Sequence, residues 1–445
     1  MNPYIPFTKE MKQTHTILIP NMLPIHFRLI QRVLENRGYR VVLLRTSGPQ
    51  IAETGLKYVH NDTCYPAVLV IGQLLDALFS GKYDPERCAL MLFQTGGGCR
   101  ASNYVSLMRK ALIAAGMPNV PVIPLSLAGI EKHPGFENSV SLYYRMAFAV
   151  LYADLMMCLA NQVRPYECEK GAADALCEQW TEKLVGELDD APSLRRVKRN
   201  YDAIVRDFAA IPREKREAVR VGIVGEIYVK FSPLGNNNLE RFLNSEGAEV
   251  VMPGLLDFFN YCVYNSILDY KLYGHNRKAY LLYSVAFRFL CARQKEQIEA
   301  IKKEGTFRPM TPFPHTLSLA EGFIGYGTKM GEGWLLTAEM LELADSGTSN
   351  IVCTQPFGCL PNHICGKGMM KPIKEAIPGA NIVAIDYDPG ASAVNQENRL
   401  KLMLSAARAA QAKTEPKSAA VSEAGTDSEA AADSAGAREA AGVRS

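Results

Sequence analysis

The stretch Thr16–Leu44, TILIPNMLPIHFRLIQRVLENRGYRVVLL, decides the fold class. Thr16 to Ile19 is a short apolar run, His26 to Arg37 spaces its apolar residues as a helix does, and Tyr39 to Leu44 is again apolar and β-branched. Strand, helix and strand in so short a span are the grammar of a parallel pair with a crossover helix. The pattern repeats downstream. A helix over about Ala67 to Ser80 leads to a strand at Cys88 to Phe93, a glycine triplet at Gly96 to Gly98, a helix over Cys99 to Ala115 and a strand at Val120 to Pro124. A doubly wound parallel sheet is the expected outcome.

Outward from that unit, Ser139 to Glu217 is helical in character, rich in Leu, Ala, Met and paired charges. At Arg220 the first grammar returns: a strand at Arg220 to Val224, a loop holding Gly235 and Asn236 to Asn238, a helix at Leu239 to Glu246 and a strand at Glu249 to Met252. Aromatic-rich helical sequence from Leu255 to Glu304 gives way to a proline-rich loop, Pro309 to Pro314, and a glycine-punctuated one, Gly322 to Gly333. A helix at Trp334 to Ala344, a strand at Ser349 to Val352, a helix at Met369 to Ala376 and a strand at Asn381 to Ile385 follow. The predicted architecture is α/β, with two Rossmann-like doubly wound domains at 1–138 and 218–403 and a helical insertion at 139–217. Residues 404–445 are expected to form a disordered tail, because their Ala, Ser, Glu, Gly and Asp composition lacks aromatic residues.

The chain has 445 residues, 48% of them hydrophobic and 21% charged, which is ordinary globular composition. A formal charge of +3 and the lack of a Lys/Arg block with interleaved aromatics argue against nucleic acid as a partner. The longest apolar runs, such as Ala147 to Leu159, fall short of the roughly 20 residues of a bilayer span, so no membrane is expected. Met1 to Thr14 carries Lys9, Glu10 and Lys12 in place of an apolar leader core. The 11 cysteines are therefore expected in a reducing, cytoplasmic setting.

Three of those cysteines, Cys353, Cys359 and Cys365, recur every six residues in CTQPFGCLPNHICGKG. Six residues is about 1.7 turns of a helix, and Pro356, Gly358, Pro361 and Gly366 break regular structure, so a winding loop can turn its sulfurs toward one centre. A zinc site usually shows close cysteine pairs and would need His363 as its fourth ligand. A disulfide is disfavoured in a reducing compartment, an iron–sulfur cluster accepts thiolates from separate loops, and plain packing is the remaining reading. Cys64, in NDTCYPA, precedes Pro66 and sits in a turn at a helix entrance. Cys99, in QTGGGCRASNY, follows a strand and opens a helix, where the dipole favours a thiolate and Arg100 adds a cation.

The glycine triplet also resembles a phosphate cradle, but the longer glycine patterns are missing. Cys88, Cys158, Cys168, Cys177, Cys262 and Cys291 lie in strand-like or helical sequence and read as small hydrophobes, with Cys168 and Cys262 the ones to consider for a sixth ligand. RPYE, Arg164 to Glu167, reads as an ion pair or helix stop. DPGAS, Asp388 to Ser392, imitates a phosphate loop but ends the last strand, with no hairpin after it.

NDTCYPAVLVIGQ, QTGGGCRASNY, VGIVGEIYVKF with the following NNN, QPFGCLPNHICGKG, and DYDPGAS with VNQ together resemble one family. It is the 2-hydroxyacyl-CoA dehydratase subunit superfamily, in particular the cysteine-containing module of proteins related to acyl-CoA dehydratase activases and to double-cubane cluster proteins. The resemblance spans about Thr16 to Met403. It implies two Rossmann-like domains enclosing an iron–sulfur cluster, of [4Fe-4S] or double-cubane type, on Cys64, Cys99 and Cys353, with Cys359 and Cys365 as further ligands. Arg100, Asn103, Asn362, His363 and Lys367 become candidate donors around the cluster. The implied partner is an ATP-dependent iron–sulfur activator that supplies low-potential electrons. This chain lacks the activator's own phosphate loops, so ATP hydrolysis is not expected of it. The implied role is electron acceptance for a difficult reduction, with a (R)-2-hydroxyacyl-CoA dehydratase component, working by ketyl-radical elimination, or a non-catalytic cluster carrier as alternatives. An acyl-CoA or other small-molecule substrate and a homodimer are left open.

Overall fold

The computed structural model describes residues 4–93, 98–125, 131–190 and 192–414. The first α/β unit runs α1 (Lys9–Thr14), β1 (Thr16–Pro20), α2 (Pro24–Glu35), β2 (Arg40–Leu44), α3 (Pro49–Tyr58), α4 (Tyr65–Phe79), β3 (Cys88–Phe93), α5 (Tyr104–Ala114) and β4 (Val122–Leu125). Its four strands are all parallel, in the order β2-β1-β3-β4. Ile17 of β1 stands opposite Val41 on one side and Ala89 on the other. Helices cover both faces, which is why β1 and β3 read as near-continuous apolar runs and not as alternating ones.

A helical layer follows: α6 (Val140–Val163), α7 (Ala172–Asp189) and α8 (Leu194–Ala209). At 24 residues α6 is long and apolar enough to cross a bilayer, longer than the run read from sequence, but 83% of its most apolar window is buried inside the protein. It is the central helix of this layer. Asp154 is its one buried acid. The carboxylate lies 2.7 Å from His26 of α2 and accepts the backbone N–H groups of Leu255 and Leu256 at 2.8 Å, so one side chain ties the layer to both α/β units.

The second unit comprises β5 (Arg220–Gly225), α9 (Ile227–Phe231), α10 (Leu239–Ser245), β6 (Glu249–Val251), α11 (Leu255–Tyr273), α12 (Arg277–Glu304), α13 (Phe313–Leu319), α14 (Trp334–Asp345), β7 (Asn350–Pro356), α15 (Met370–Ala376), β8 (Asn381–Tyr387) and α16 (Ala393–Thr414). Its parallel order, β6-β5-β7-β8, repeats that of the first unit, so β7 stands where β3 stands. In each sheet the strand order reverses beside the first strand, and a crevice opens there at the carboxyl ends. A mixed α/β chain with two parallel sheets is thus the architecture, as the sequence pattern implied.

Three differences from that pattern have physical causes. β7 does not end at Val352 but continues to Pro356, because β5 and β8 hydrogen-bond it on both sides and pair Thr354 with Ile385 and Pro356 with Tyr387. The helices α3 and α9, short and flanked by turns, were not foreseen. The boundary placed at 404 is wrong: α16 continues to Thr414, and Leu400, Met403, Leu404 and Ala407 form a buried stripe at helical spacing. The rest of the expected tail, 415–445, lies outside the described residues, as do Gln94 to Gly97 of the glycine loop.

Candidate functional site

Three cysteines lie near one another on loops from both α/β units. Cys64 is the residue before α4, held in extended conformation with Pro66 at the helix start. The N–H of Tyr65 donates to the carbonyl of Phe357 at 3.0 Å, which joins this loop to the one after β7. Cys99 precedes a short 3-10 turn, Arg100–Asn103, that leads into α5, and its sulfur accepts the N–H of Ala101 at 3.5 Å. Cys359 follows β7 at the start of the turn that contains Asn362–Gly366. Each cysteine opens a helical turn; the Ala101 N–H reaches the Cys99 sulfur at 3.5 Å, while the Ala67 N–H donates to the Cys64 carbonyl at 2.9 Å. Exposed amide hydrogens at a helix start favour negative charge, so all three positions suit a thiolate.

Cys64 adds to the upward push on the Cys99 thiol, and Cys99 to that on Cys359. Two glycines permit the approach. A Cβ on Gly331 would lie 3.7 Å from the Cys99 sulfur and 3.1 Å from Pro361, and one on Gly358, at a φ of +73°, would press the Cys64 backbone at 3.1 Å. Tyr104 places its hydroxyl 3.2 Å from the Cys64 sulfur.

Two acids that sequence reasoning missed complete the pocket. Glu226, at the end of β5, caps α9 through the Val229 N–H at 2.9 Å. Glu332 accepts the N–H of Ile227 at 3.0 Å through Oε1, while its Oε2 is buried with no hydrogen-bond partner. Burial pushes both carboxyls upward, and Glu332 adds to the effect on Glu226. Behind them Lys230 and Glu339 form a buried ion pair at 2.9 Å. The available signal for Glu226 was its place directly after the strand VGIVG, at a carboxyl end where sites gather. Glu332 had only its glycine-rich surroundings.

The same crowding acts on the sulfurs. Burial, with Glu332, Glu226 and Cys64 adding to it, pushes the Cys99 thiol up to about 12. Cys359 is pushed upward by burial and then by Glu332 and Glu226, and Cys64 upward by burial. The protein alone keeps these thiols protonated at neutral pH. A metal centre would displace the protons and relieve an interior that otherwise gathers acids around one point.

The remaining candidates fall into place around this pocket. Cys353 is a mid-strand residue of β7 that packs in an apolar cluster with Val224, Met340 and Ile373. Its sulfur faces Asn362 Oδ1 at 3.6 Å. Cys365 is buried beside Glu332, which with burial raises its thiol to about 11, and its carbonyl accepts the Thr337 hydroxyl at 2.7 Å. Arg100 is exposed at the rim and donates to the Asp62 carbonyl. Asn103 and His363 are exposed, while Lys367 is turned away to Asp386 at 3.2 Å. Asn362 is fully buried and donates to the Thr354 carbonyl at 2.7 Å.

Cys168 is exposed on the helical layer, and Cys262 of α11 lies close enough to Glu332 for that carboxylate to raise its thiol. RPYE is structural: Arg164 binds Asp174 and Glu240, and Glu167 caps α7. Among the described residues no three His, Cys, Asp or Glu side chains are gathered around a single ion. A multi-iron centre, whose thiolates bind different irons, spaces its ligands more widely than one ion does. No family model matches the chain, and no curated protein is detectably similar to it.

Proposed function

We propose that this protein carries an iron–sulfur cluster on Cys64, Cys99 and Cys359 and accepts low-potential electrons from an ATP-dependent activator for a difficult reduction. In this reading the chain is related to the 2-hydroxyacyl-CoA dehydratase subunits it resembles. The observation that carries it is the approach of three thiols on loops of both α/β units, each at the start of a helical turn. The donor set fits: soft sulfur ligands suit iron–sulfur chemistry, and the partnerless Oε2 of Glu332 is a buried oxygen donor on the same pocket. When bound, the cluster would supply one-electron transfer.

The chain's own residues set the conditions for it. The Ala101 N–H reaches the Cys99 sulfur, the Tyr104 hydroxyl stands against Cys64, and Cys64 and Cys359 are buried. Glu226 and Glu332, whose carboxyls burial pushes upward, stand beside the thiols as buried polar groups that would tune the cluster's surroundings. The rim suits a docking partner, because Met330, Phe357, Leu360 and Ile364 are more than half exposed around the pocket mouth.

Anaerobic purification with iron and acid-labile sulfide counts, followed by EPR of the reduced protein, tests the reading. Iron and sulfide in comparable amounts and a reduced-state signal are expected. A chain that takes up neither under anaerobic reconstitution overturns it.

A further inference from the structure

A second cleft lies between the two units, at the carboxyl ends of β1 and β2, with a volume of about 740 Å³. Cys64, Cys99 and Cys359 do not line it, so its chemistry is separate from that of the proposed cluster. Its size is that of a small-molecule site.

The charges in the cleft do not cancel. Asp174 and Glu240 are both taken by Arg164, and Glu167 is taken by the N–H groups of Gly171 and Ala173 at 2.7 and 3.0 Å. Glu178 stands exposed at the edge. Arg45, Lys170 and Arg241 also line the cleft and, among the described residues, pair with no carboxylate. Two helix starts add to this positive wall. α2 and α3 follow β1 and β2 directly, each begins with a proline, and neither has a side-chain cap. The hydroxyl residues Thr46 and Ser47 stand beside the start of α3.

An independent feature points to a bound molecule. Gln73 lines the cleft at 1% exposure, and its Nε2 donates to the Thr46 carbonyl at 2.8 Å, while its Oε1 has no donor. Asn21 Oδ1 and Asn244 Oδ1, also on the cleft, are buried without donors too. Buried acceptors left unmade are costly, so a ligand that offers hydrogen-bond donors is favoured. Uncapped helix starts with unpaired guanidinium groups favour a doubly charged oxyanion.

We propose that this cleft binds a small phosphate monoester that also carries hydroxyl or amino donors, with the phosphate at the α3 start near Arg45 and Arg241 and the donors on Gln73, Asn21 and Asn244. Glycerol 3-phosphate, inorganic phosphate and glycerol are suitable probes for calorimetry on the full chain. Glycerol 3-phosphate is expected to bind saturably and more tightly than inorganic phosphate, and glycerol not at all. Arg45→Ala and Arg241→Ala should each weaken the ester about tenfold, the loss of one charge-assisted hydrogen bond. Both residues are exposed, so these variants should keep the wild-type melting temperature without ligand. Gln73→Met should bring the ester down to the affinity of inorganic phosphate. No saturable binding, inorganic phosphate bound as tightly as the ester by the wild type, or full affinity in the Arg45→Ala, Arg241→Ala double variant would each overturn the proposal.

Discussion

Cys353 and Cys359 belong to one short segment and are both buried, yet they face different surroundings. Cys353 sits inside β7, where pleating sends its side chain into the apolar cluster beneath α14 and α15. Cys359 comes after the strand has ended, in a turn near Glu226 and Glu332 of its own unit and Cys99 of the other. The difference teaches that position relative to a strand end decides what a thiol can do here. The cysteine within the sheet packs, and the cysteine past its carboxyl end meets the other unit.

The sharpest way to break this comparison is to change each sulfur in turn. Cys359→Ser and Cys99→Ser should abolish most of the iron content, because each removes a soft ligand and replaces it with a poor one. Cys353→Ala should leave iron content unchanged and cost about 1 kcal/mol in denaturant unfolding, the loss of one buried sulfur from an apolar cluster. Equal iron loss in all three would erase the distinction between strand and turn.

Asn362 links the two halves of the segment, and its substitution sharpens the comparison. Its side chain donates to Thr354 of the strand, and its backbone lies in the turn that follows Cys359. Asn362→Ala should cost about 1–3 kcal/mol, because a buried carbonyl loses its donor. Iron content should largely survive, since Asn362 is not among the proposed ligands. Loss of iron without loss of stability would reverse that assignment.

The acid-rich interior behind the site gives a smaller effect that depends on pH. Asp257 of α11 is pushed well above the usual carboxylate range by burial and by Glu339, Asp154 and Glu342, while Gln294 donates to it at 2.9 Å. A folded-state value raised above the ordinary 3.8 means that the stability it lends is complete below about that pH and falls as pH rises. Asp257→Asn should therefore match the wild type near pH 4. It should gain on the order of 1 kcal/mol at pH 8 for each unit of upward shift. A difference in melting temperature that does not grow with pH would show that Asp257 is not held protonated. Smallest of all, His363→Ala and Lys367→Ala should change neither iron content nor stability beyond about 0.5 kcal/mol, since both side chains are exposed and point outward.

Much of this was legible in the chain. Thr16–Leu44 announced its strands and helix because apolar spacing follows the backbone period, and β3 fell where Cys88 to Phe93 placed it. Cys64 and Cys99 were legible because Pro66 and the glycine triplet mark helix starts. The end of β7 was not legible because nothing local says that the strand continues through Thr354 and Gln355; pairing with β5 and β8 decides that. Glu226 and Glu332 were invisible for a related reason. A carboxylate in a loop looks solvated until the fold buries it against another. The two sheets' shared strand order, which brings Cys99 and Cys359 to equivalent places, is likewise a property of the assembled chain.

The most direct test of the central claim is the iron and sulfide content of the anaerobically reconstituted wild type beside Cys64→Ser, Cys99→Ser, Cys359→Ser and Cys353→Ser, read together with EPR of each reduced protein. The account expects a cluster in the wild type and in Cys353→Ser, and its loss or a changed signal in the other three. A cluster that survives Cys359→Ser unaltered but disappears in Cys353→Ser would contradict it.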